Sequence, residues 1–179
     1  PAGGAATVYA NTRGRWGKEA TLYPDSNAPY ARFGTAVGIE QDTAVVGTPG
    51  AATAMVYQRV DNQWVHRTTL RAPDGQRDEG FGKSVTVYGE TAAVGADHSV
   101  FVFENIATSY NLVAKLASPD QRANFGRAVD LWEDVLVVGA PGTDAVFVYR
   151  RSEHGQGQRW KREQRLDGPG GFGRSVSAG

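Results

Sequence analysis

The sequence contains no cysteine, and this absence removes three kinds of chemistry at once. Disulfide bonds, thiolate metal sites and a cysteine nucleophile are all excluded. The lack of disulfides does not fix the compartment, because a large repeat domain buries enough apolar surface to fold without them. Any stability or chemistry must therefore come from packing and from other side chains.

An excess of charge of either sign is also missing. Nineteen Lys and Arg residues balance nineteen Asp and Glu residues, so no overall field favours nucleic acid or an anionic membrane. No apolar run approaches the roughly 18 residues that a membrane-spanning helix requires. We therefore expect no nucleic-acid partner and no membrane insertion. The start Pro1-Ala2-Gly3-Gly4 is typical of a processed or excised chain.

Helical periodicity is the third absence, since no segment repeats apolar residues at 3.6-residue intervals. Short apolar runs bounded by turn residues take its place, for example residues 44–47, 100–103 and 136–139. Runs of this length and composition are typical of buried β-strands. The apolar fraction of 40% fits a globular protein. The sequence predicts an all-β fold.

A repeated Phe-Gly pair is the main positive feature of the chain. Its four copies are separated by 48, 44 and 47 residues, a period that is typical of solenoids and propellers. The copies are Phe33-Gly34, Phe81-Gly82, Phe125-Gly126 and Phe172-Gly173. Each of the first three is followed by four strand-like segments. This pattern predicts a β-propeller built from four-stranded antiparallel blades.

The predicted propeller segment covers residues 1–179 as a single domain. Three complete blades occupy residues 33–80, 81–124 and 125–171. A further incomplete blade is split between the termini, with residues 1–32 as its outer part and residues 172–179 as its first strand. This split blade has no counterpart of residues 41–48, which form a second strand in the first complete copy.

Three explanations of the split blade remain open at this point. The chain is a fragment of a longer propeller, or it assembles with another copy or another chain, or it forms a four-bladed ring with a gap. Unpaired strand edges favour pairing with further chain. We therefore favour the first two explanations together.

An aromatic residue begins each predicted fourth strand, and a Leu follows six residues later. The pairs are Trp16/Leu22, Trp64/Leu70, Tyr110/Leu116 and Trp160/Leu166. Because six is even, both members of a pair are expected on the same face of the strand. We interpret these aromatics, and the Phe of each Phe-Gly pair, as core between blades and not as a ligand-stacking set.

The second strand of the third copy ends in Gly139-Ala140-Pro141, and the other copies carry the variants Gly47-Thr48-Pro49 and Gly95-Ala96-Asp97. With Phe-Gly before the first strand and this triplet after the second, the chain resembles the FG-GAP repeat family, best known from the β-propellers of integrin α subunits. The resemblance implies an adhesion or protein-interaction module in an extracellular or cell-surface protein.

Integrin-like members of that family hold calcium in a carboxylate-rich loop between strands one and two. Calcium requires six to eight oxygen ligands. The corresponding turns of this chain, residues 40–43, 89–91 and 133–134, are short and contain few carboxylates. We therefore do not transfer the metal site to this chain, and we expect no metal and no cofactor.

Catalytic signatures are also missing. His66, His98 and His154 fall at unrelated positions of the repeat, so they are not expected to converge as ligands or bases. Ser84 and Ser175 lack the Gly-x-Ser-x-Gly elbow of an acyl-transfer nucleophile. We expect no catalytic residue, and we do not expect an enzyme.

Candidate ligand-binding residues come from the loops after strands two and four, which emerge on one face of a propeller together with the Phe-Gly turns. They are Asp25, Asp74, Asp78, Asp120, Lys83, Arg127 and Arg174. Turn formation is an alternative role for the aspartates that follow proline. A rim of salt bridges is an alternative role for the mixed charges.

The leading hypothesis is a non-enzymatic structural or protein-interaction propeller, located outside the cytoplasm. A protein partner or another copy of the chain would complete its ring. A carbohydrate-binding or small-ligand-binding propeller, either lectin-like or appended to a hydrolase, is the alternative. A third hypothesis is that the chain is an engineered or truncated repeat protein.

Overall fold

A computed structural model describes residues 3–25, 31–73, 80–106, 109–118, 120–152 and 159–179. These residues form fourteen β-strands and three short 3-10 turns at Pro49–Ala51, Gln121–Ala123 and Pro141–Thr143. No helix among the described residues has the length and apolar character needed to cross a membrane. The predicted all-β class is confirmed.

The strands form one two-stranded and three four-stranded sheets, all antiparallel. The N-terminal hairpin consists of β1 (Ala6–Thr12) and β2 (Arg15–Leu22). Blade 1 consists of β3 (Val37–Glu40), β4 (Thr43–Thr48), β5 (Thr53–Val60) and β6 (Gln63–Arg71). Blade 2 consists of β7 (Ser84–Tyr88), β8 (Thr91–Gly95), β9 (Ser99–Ile106) and β10 (Ser109–Ala117). Blade 3 consists of β11 (Ala128–Trp132), β12 (Val135–Ala140), β13 (Ala145–Arg151) and β14 (Trp160–Asp167).

Within each blade, the first strand lies nearest to the neighbouring blades. Strand β7 contacts both β3 and β11, so the three first strands stand side by side around a common axis. The Thr86 hydroxyl of β7 donates to Asp130 Oδ1 of β11 at 3.1 Å and accepts from the Leu131 backbone N–H at 3.3 Å. The blades are therefore arranged radially, as the predicted propeller requires.

The apolar runs follow from this radial stacking. Strands β8 and β9 are buried along most of their length, because blades pack against both of their faces. The outermost strands, such as β6, alternate between exposed and partly buried residues instead. Continuous apolar runs thus mark the middle of a blade, and alternating runs mark its rim.

Three apolar cores lie between successive sheets of the described residues, and the first three Phe-Gly phenylalanines each belong to one of them, whereas Phe172 is only partly buried and lies in none of the three. Phe33 packs between the N-terminal hairpin and blade 1, Phe81 between blades 1 and 2, and Phe125 between blades 2 and 3. Phe81 and Phe125 are fully buried. The interpretation of these phenylalanines as core between blades agrees with the packing.

A bulge in every fourth strand corrects the predicted orientation of the aromatic and Leu residues. The residue that interrupts the pairing occupies equivalent positions in the hairpin and in each blade, namely Glu19, Arg67, Val113 and Glu163. One extra residue reverses the alternation of side chains along the strand. A pair six residues apart across the bulge therefore faces opposite sides of the blade, and the expectation of a shared face was wrong.

The core memberships show which side each residue faces. Tyr110 packs into the core that blade 2 shares with blade 1, whereas Leu116 lies in the core shared with blade 3. Trp64 likewise faces the N-terminal hairpin, and Leu70 faces blade 2. In each blade the aromatic thus faces the preceding sheet and the Leu faces the following one.

This rule explains the exposure at the two ends of the stack. Trp16 on β2 faces away from blade 1 and is 72% exposed, although its equivalent Trp160 is 1% exposed. Leu166 on β14 faces away from blade 2 and is 39% exposed, although Leu116 is buried. The stack therefore has two end faces, one marked by Trp16 and the other by Leu166.

The C-terminal segment differs from its prediction. The turn at Phe172-Gly173 forms, but residues 174–179 form no strand. A strand needs a hydrogen-bonded partner, and none of the described strands pairs with this segment. The segment nevertheless runs near the first strands, because the Ala178 backbone N–H donates to Asp130 Oδ2 at 2.8 Å.

Candidate functional site

The Phe-Gly pair forms the centre of a tight turn at the entrance of each blade. The turns close through a backbone hydrogen bond from the residue after Gly to the residue before Phe, as from Lys83 to Gly80 at 2.9 Å and from Arg127 to Asn124 at 3.1 Å. The central glycines have φ angles between 84° and 92°, which the third position of a type II turn requires. Glycine reaches this region without strain.

The glycine of the second strand contacts the Phe-Gly turn of the following blade. An added Cβ at Gly47 would lie 1.9 Å from the carbonyl oxygen of Gly82, and one at Gly95 would lie 2.2 Å from that of Gly126. Gly139 stands in the same relation to Gly173. Close backbone packing between blades therefore requires glycine at both positions of the repeat.

These turns place the residue after each glycine on one face of the propeller. Lys83, Arg127 and Arg174 occupy this position in three successive repeats, and all three line a single cavity of about 510 Å³. The remaining lining residues are Asp97, Asn124 and Pro141. All six come from the loops after second and fourth strands. The structure thus brings together three of the seven candidate residues.

The cavity is polar and carries more positive than negative charge. Lys83 Nζ lies 2.6 Å from Asp97 Oδ1, and the Lys83 side chain is only 12% exposed. Arg127 and Arg174 make no ion pair within the described part of the chain. The Asp97 carboxylate thus balances Lys83, and two exposed guanidinium groups remain available to a ligand.

The other candidates lie outside this cavity. Asp25 Oδ2 pairs with His66 Nδ1 at 2.8 Å. Asp120 caps the 3-10 turn Gln121–Ala123, and the backbone N–H of Arg122, which donates to Asp120 at 2.9 Å, holds the pKa of this carboxyl below its ordinary value. Asp74 and Asp78 lie outside the described residues. The contact with His66 thus accounts for Asp25, and a role in the turn accounts for Asp120.

Sequence reasoning did not single out Asp97, Asn124 or Pro141 as site residues. Asp97 had a usable signal, because it stands where the two other repeats carry Pro49 and Pro141. A carboxylate that replaces proline at this repeat position indicates a polar loop, although its lysine partner lies fourteen residues earlier in the sequence. Asn124 and Pro141 carried no comparable signal.

The turns between first and second strands use their carboxylates within the blade. Arg59 donates to Asp42 at 2.6 Å, and Arg150 contacts both Asp134 oxygens at 3.0 and 2.9 Å. Across the described ranges, no group of three His, Asp or Glu side chains is arranged to hold a metal ion. These carboxylates therefore anchor third-strand arginines.

Comparison with known sequences agrees with the repeat geometry. The profile described as the FG-GAP repeat matches residues 16–58 and 64–103. The chain carries FG-GAP repeats. The resemblance predicted from the Phe-Gly and Gly-Ala-Pro motifs is confirmed. No curated protein sequence matches the chain.

Solved structures share the fold of this FG-GAP repeat chain. The crystal structure of Sqt1 from Saccharomyces cerevisiae aligns with a TM-score of 0.56 and 14% identity, over 76% of this chain and 36% of that one. A protein from Lactobacillus plantarum aligns with a TM-score of 0.60 and 18% identity, over 89% of this chain and 47% of that one. The chain thus spans less than half the length of either structure.

Proposed function

We propose that this FG-GAP repeat propeller is a non-enzymatic interaction module that binds protein through the end faces of its blade stack. The observation that carries the proposal is the exposure of Trp16 and Leu166, whose equivalents Trp160 and Leu116 are buried between blades. Their exposure at positions whose repeat equivalents are buried between blades supports a protein contact at these faces. The usual occurrence of FG-GAP repeats in extracellular proteins supports a role in adhesion and an extracellular location.

A second copy of the chain is the partner that fits these end faces. The Trp16 face corresponds to the side of a blade that receives its predecessor, and the Leu166 face corresponds to the side that receives its successor. A head-to-tail contact between two copies would place Leu166 beside Trp16, as Leu116 and Trp160 share one core within the chain. Such a contact is heterologous and joins two different faces.

Light scattering after size-exclusion chromatography tests this assembly. We expect the mass to rise above 19.1 kDa as the concentration increases from micromolar to submillimolar. Leu166→Arg and Trp16→Arg should each keep the protein monomeric, because a guanidinium replaces an apolar contact on one of the two faces. Val60→Arg is the matched control, since Val60 is an exposed apolar residue at the end of β5.

Two results would contradict the proposal. One is a constant monomer mass at every concentration. The other is association that persists in both end-face variants and disappears in Val60→Arg. Surface labelling of cells that express the protein tests the location, and labelling no stronger than that of a cytoplasmic marker would contradict it.

A further inference from the structure

We propose that the cavity lined by Lys83, Arg127 and Arg174 binds a small polyanion with two or more oxyanion groups. The repeat itself builds this cavity. Each of the three residues closes a turn whose Phe-Gly centre is fixed by the packing of the blades. Propeller symmetry then brings equivalent positions of successive blades to one place. The chain thus presents three cations around one polar opening.

The charge balance of the lining favours an anion over a cation or a neutral ligand. Three cationic side chains face one carboxylate, Asp97, and this carboxylate is paired with Lys83 at 2.6 Å. A metal ion would meet net repulsion there. Arg127 and Arg174 make no ion pair among the described residues, so their donors are free to bind carboxylate, phosphate or sulfate in bidentate geometry.

The size of the cavity sets the scale of the ligand. A volume of about 510 Å³ falls within the usual range of small-molecule sites. The two unpaired guanidinium groups match a ligand with two anionic groups better than one with a single charge. The first repeat does not add a cation, because Thr35 occupies the equivalent position and its hydroxyl donates to the Arg32 carbonyl. The anion is therefore expected between blades 2 and 3 and the Phe172-Gly173 turn.

Isothermal titration calorimetry at low ionic strength tests the site with citrate, pyrophosphate and acetate as probes. We expect citrate or pyrophosphate to bind and acetate to bind at least tenfold more weakly. Arg127→Gln and Arg174→Gln should each weaken binding by about tenfold, since each removes a charge-assisted hydrogen-bond donor. Arg15→Gln makes the same charge change on the N-terminal hairpin and should change the affinity by less than about twofold.

Asp97→Asn provides a test in the opposite direction. Removal of this carboxylate frees the Lys83 ammonium group, so the affinity for the anion should rise by about threefold or more. A preference for citrate or for pyrophosphate tells carboxylate ligands from phosphate ligands.

The site is overturned if neither polyanion binds, or if Arg15→Gln weakens binding as much as the two cavity variants do. Tighter binding cannot come from a misfolded protein, so the Asp97→Asn result does not depend on unchanged stability. The cavity lies within one chain. Failure of this test would therefore leave the proposed association of end faces unaffected.

Discussion

Gly47→Ala is expected to lower the free energy of unfolding by about 3 kcal/mol or more. The added methyl group would lie 1.9 Å from the Gly82 carbonyl oxygen, which belongs to the backbone of the next blade. Gly47 has no positive φ angle, so the cost comes from this contact and not from local strain. Only a shift of blade 2 away from blade 1 can relieve it, and this shift would loosen the apolar core around Phe81.

Denaturation by urea, analysed at constant slope, measures this cost. Gly17→Ala is the matched control, because Gly17 also lies in a strand without a positive φ, and a Cβ added there would meet no atom within 4 Å. This control should be neutral or more stable by up to about 1 kcal/mol. The change in the free energy of unfolding for Gly139→Ala should lie between those for Gly47→Ala and Gly17→Ala, since its neighbour Gly173 precedes a segment that forms no strand. A cost below about 1 kcal/mol for Gly47→Ala would contradict the role of glycine at the blade contact.

The two halves of the FG-GAP motif therefore act together in one structural role in this chain. The Gly34 N–H donates to the Gly47 carbonyl within blade 1, at 3.1 Å, and the Gly82 and Gly126 N–H groups make the equivalent bonds in blades 2 and 3 at 3.0 Å. The same second-strand glycines then contact the Phe-Gly turn of the following blade. The two halves of the motif are distant in sequence but form a single joint, which both closes a blade and spaces it from the next.

The repeat made most of the fold predictable from sequence. Apolar runs and turns recur in register with Phe-Gly, so one assignment fixed the three blades at once. The bulge at Glu19, Arg67, Val113 and Glu163 could not be predicted, because these residues share no chemical type. Its omission reversed the predicted orientation of the aromatic and Leu pairs. The assignment of the aromatics to the core was right for Trp160, which is buried, and wrong for Trp16, which is exposed.

The candidate site was predictable in part for a similar reason. Lys83, Arg127 and Arg174 hold one repeat position, so propeller topology places them on one face. The pairing of Lys83 with Asp97 needed the structure, because Asp97 lies fourteen residues later in a different loop. Asp25 and Asp120 were also expected on this face, but neither of them lines the cavity. Topology assigns a loop to a face, but it does not give the direction of each side chain.

Trp160→Ala is expected to lower the free energy of unfolding by about 3–5 kcal/mol. The side chain is 1% exposed and belongs to the core between blades 2 and 3, where Leu116 and Tyr149 also lie. Truncation would leave a cavity between two blades. Because each blade is held by its own hydrogen-bonded strands, the blades can shift little to fill this cavity. Chemical denaturation measures this loss of free energy of unfolding. Unfolding is followed by circular dichroism and not by tryptophan fluorescence, because the substitution itself removes a tryptophan.

Trp16→Ala provides the internal comparison, because Trp16 occupies the equivalent position but is 72% exposed. At concentrations where the chain is monomeric, this variant should cost less than about 1 kcal/mol. Trp160→Phe distinguishes the contribution of side-chain volume from that of the indole N–H group, since the buried Trp160 Nε1 has no hydrogen-bond partner among the described residues. Phenylalanine keeps most of the packing and removes that unpaired donor, so its cost should be well below that of alanine. Equal losses for Trp16→Ala and Trp160→Ala would mean that the bulged fourth strands do not direct their aromatics toward the preceding sheet.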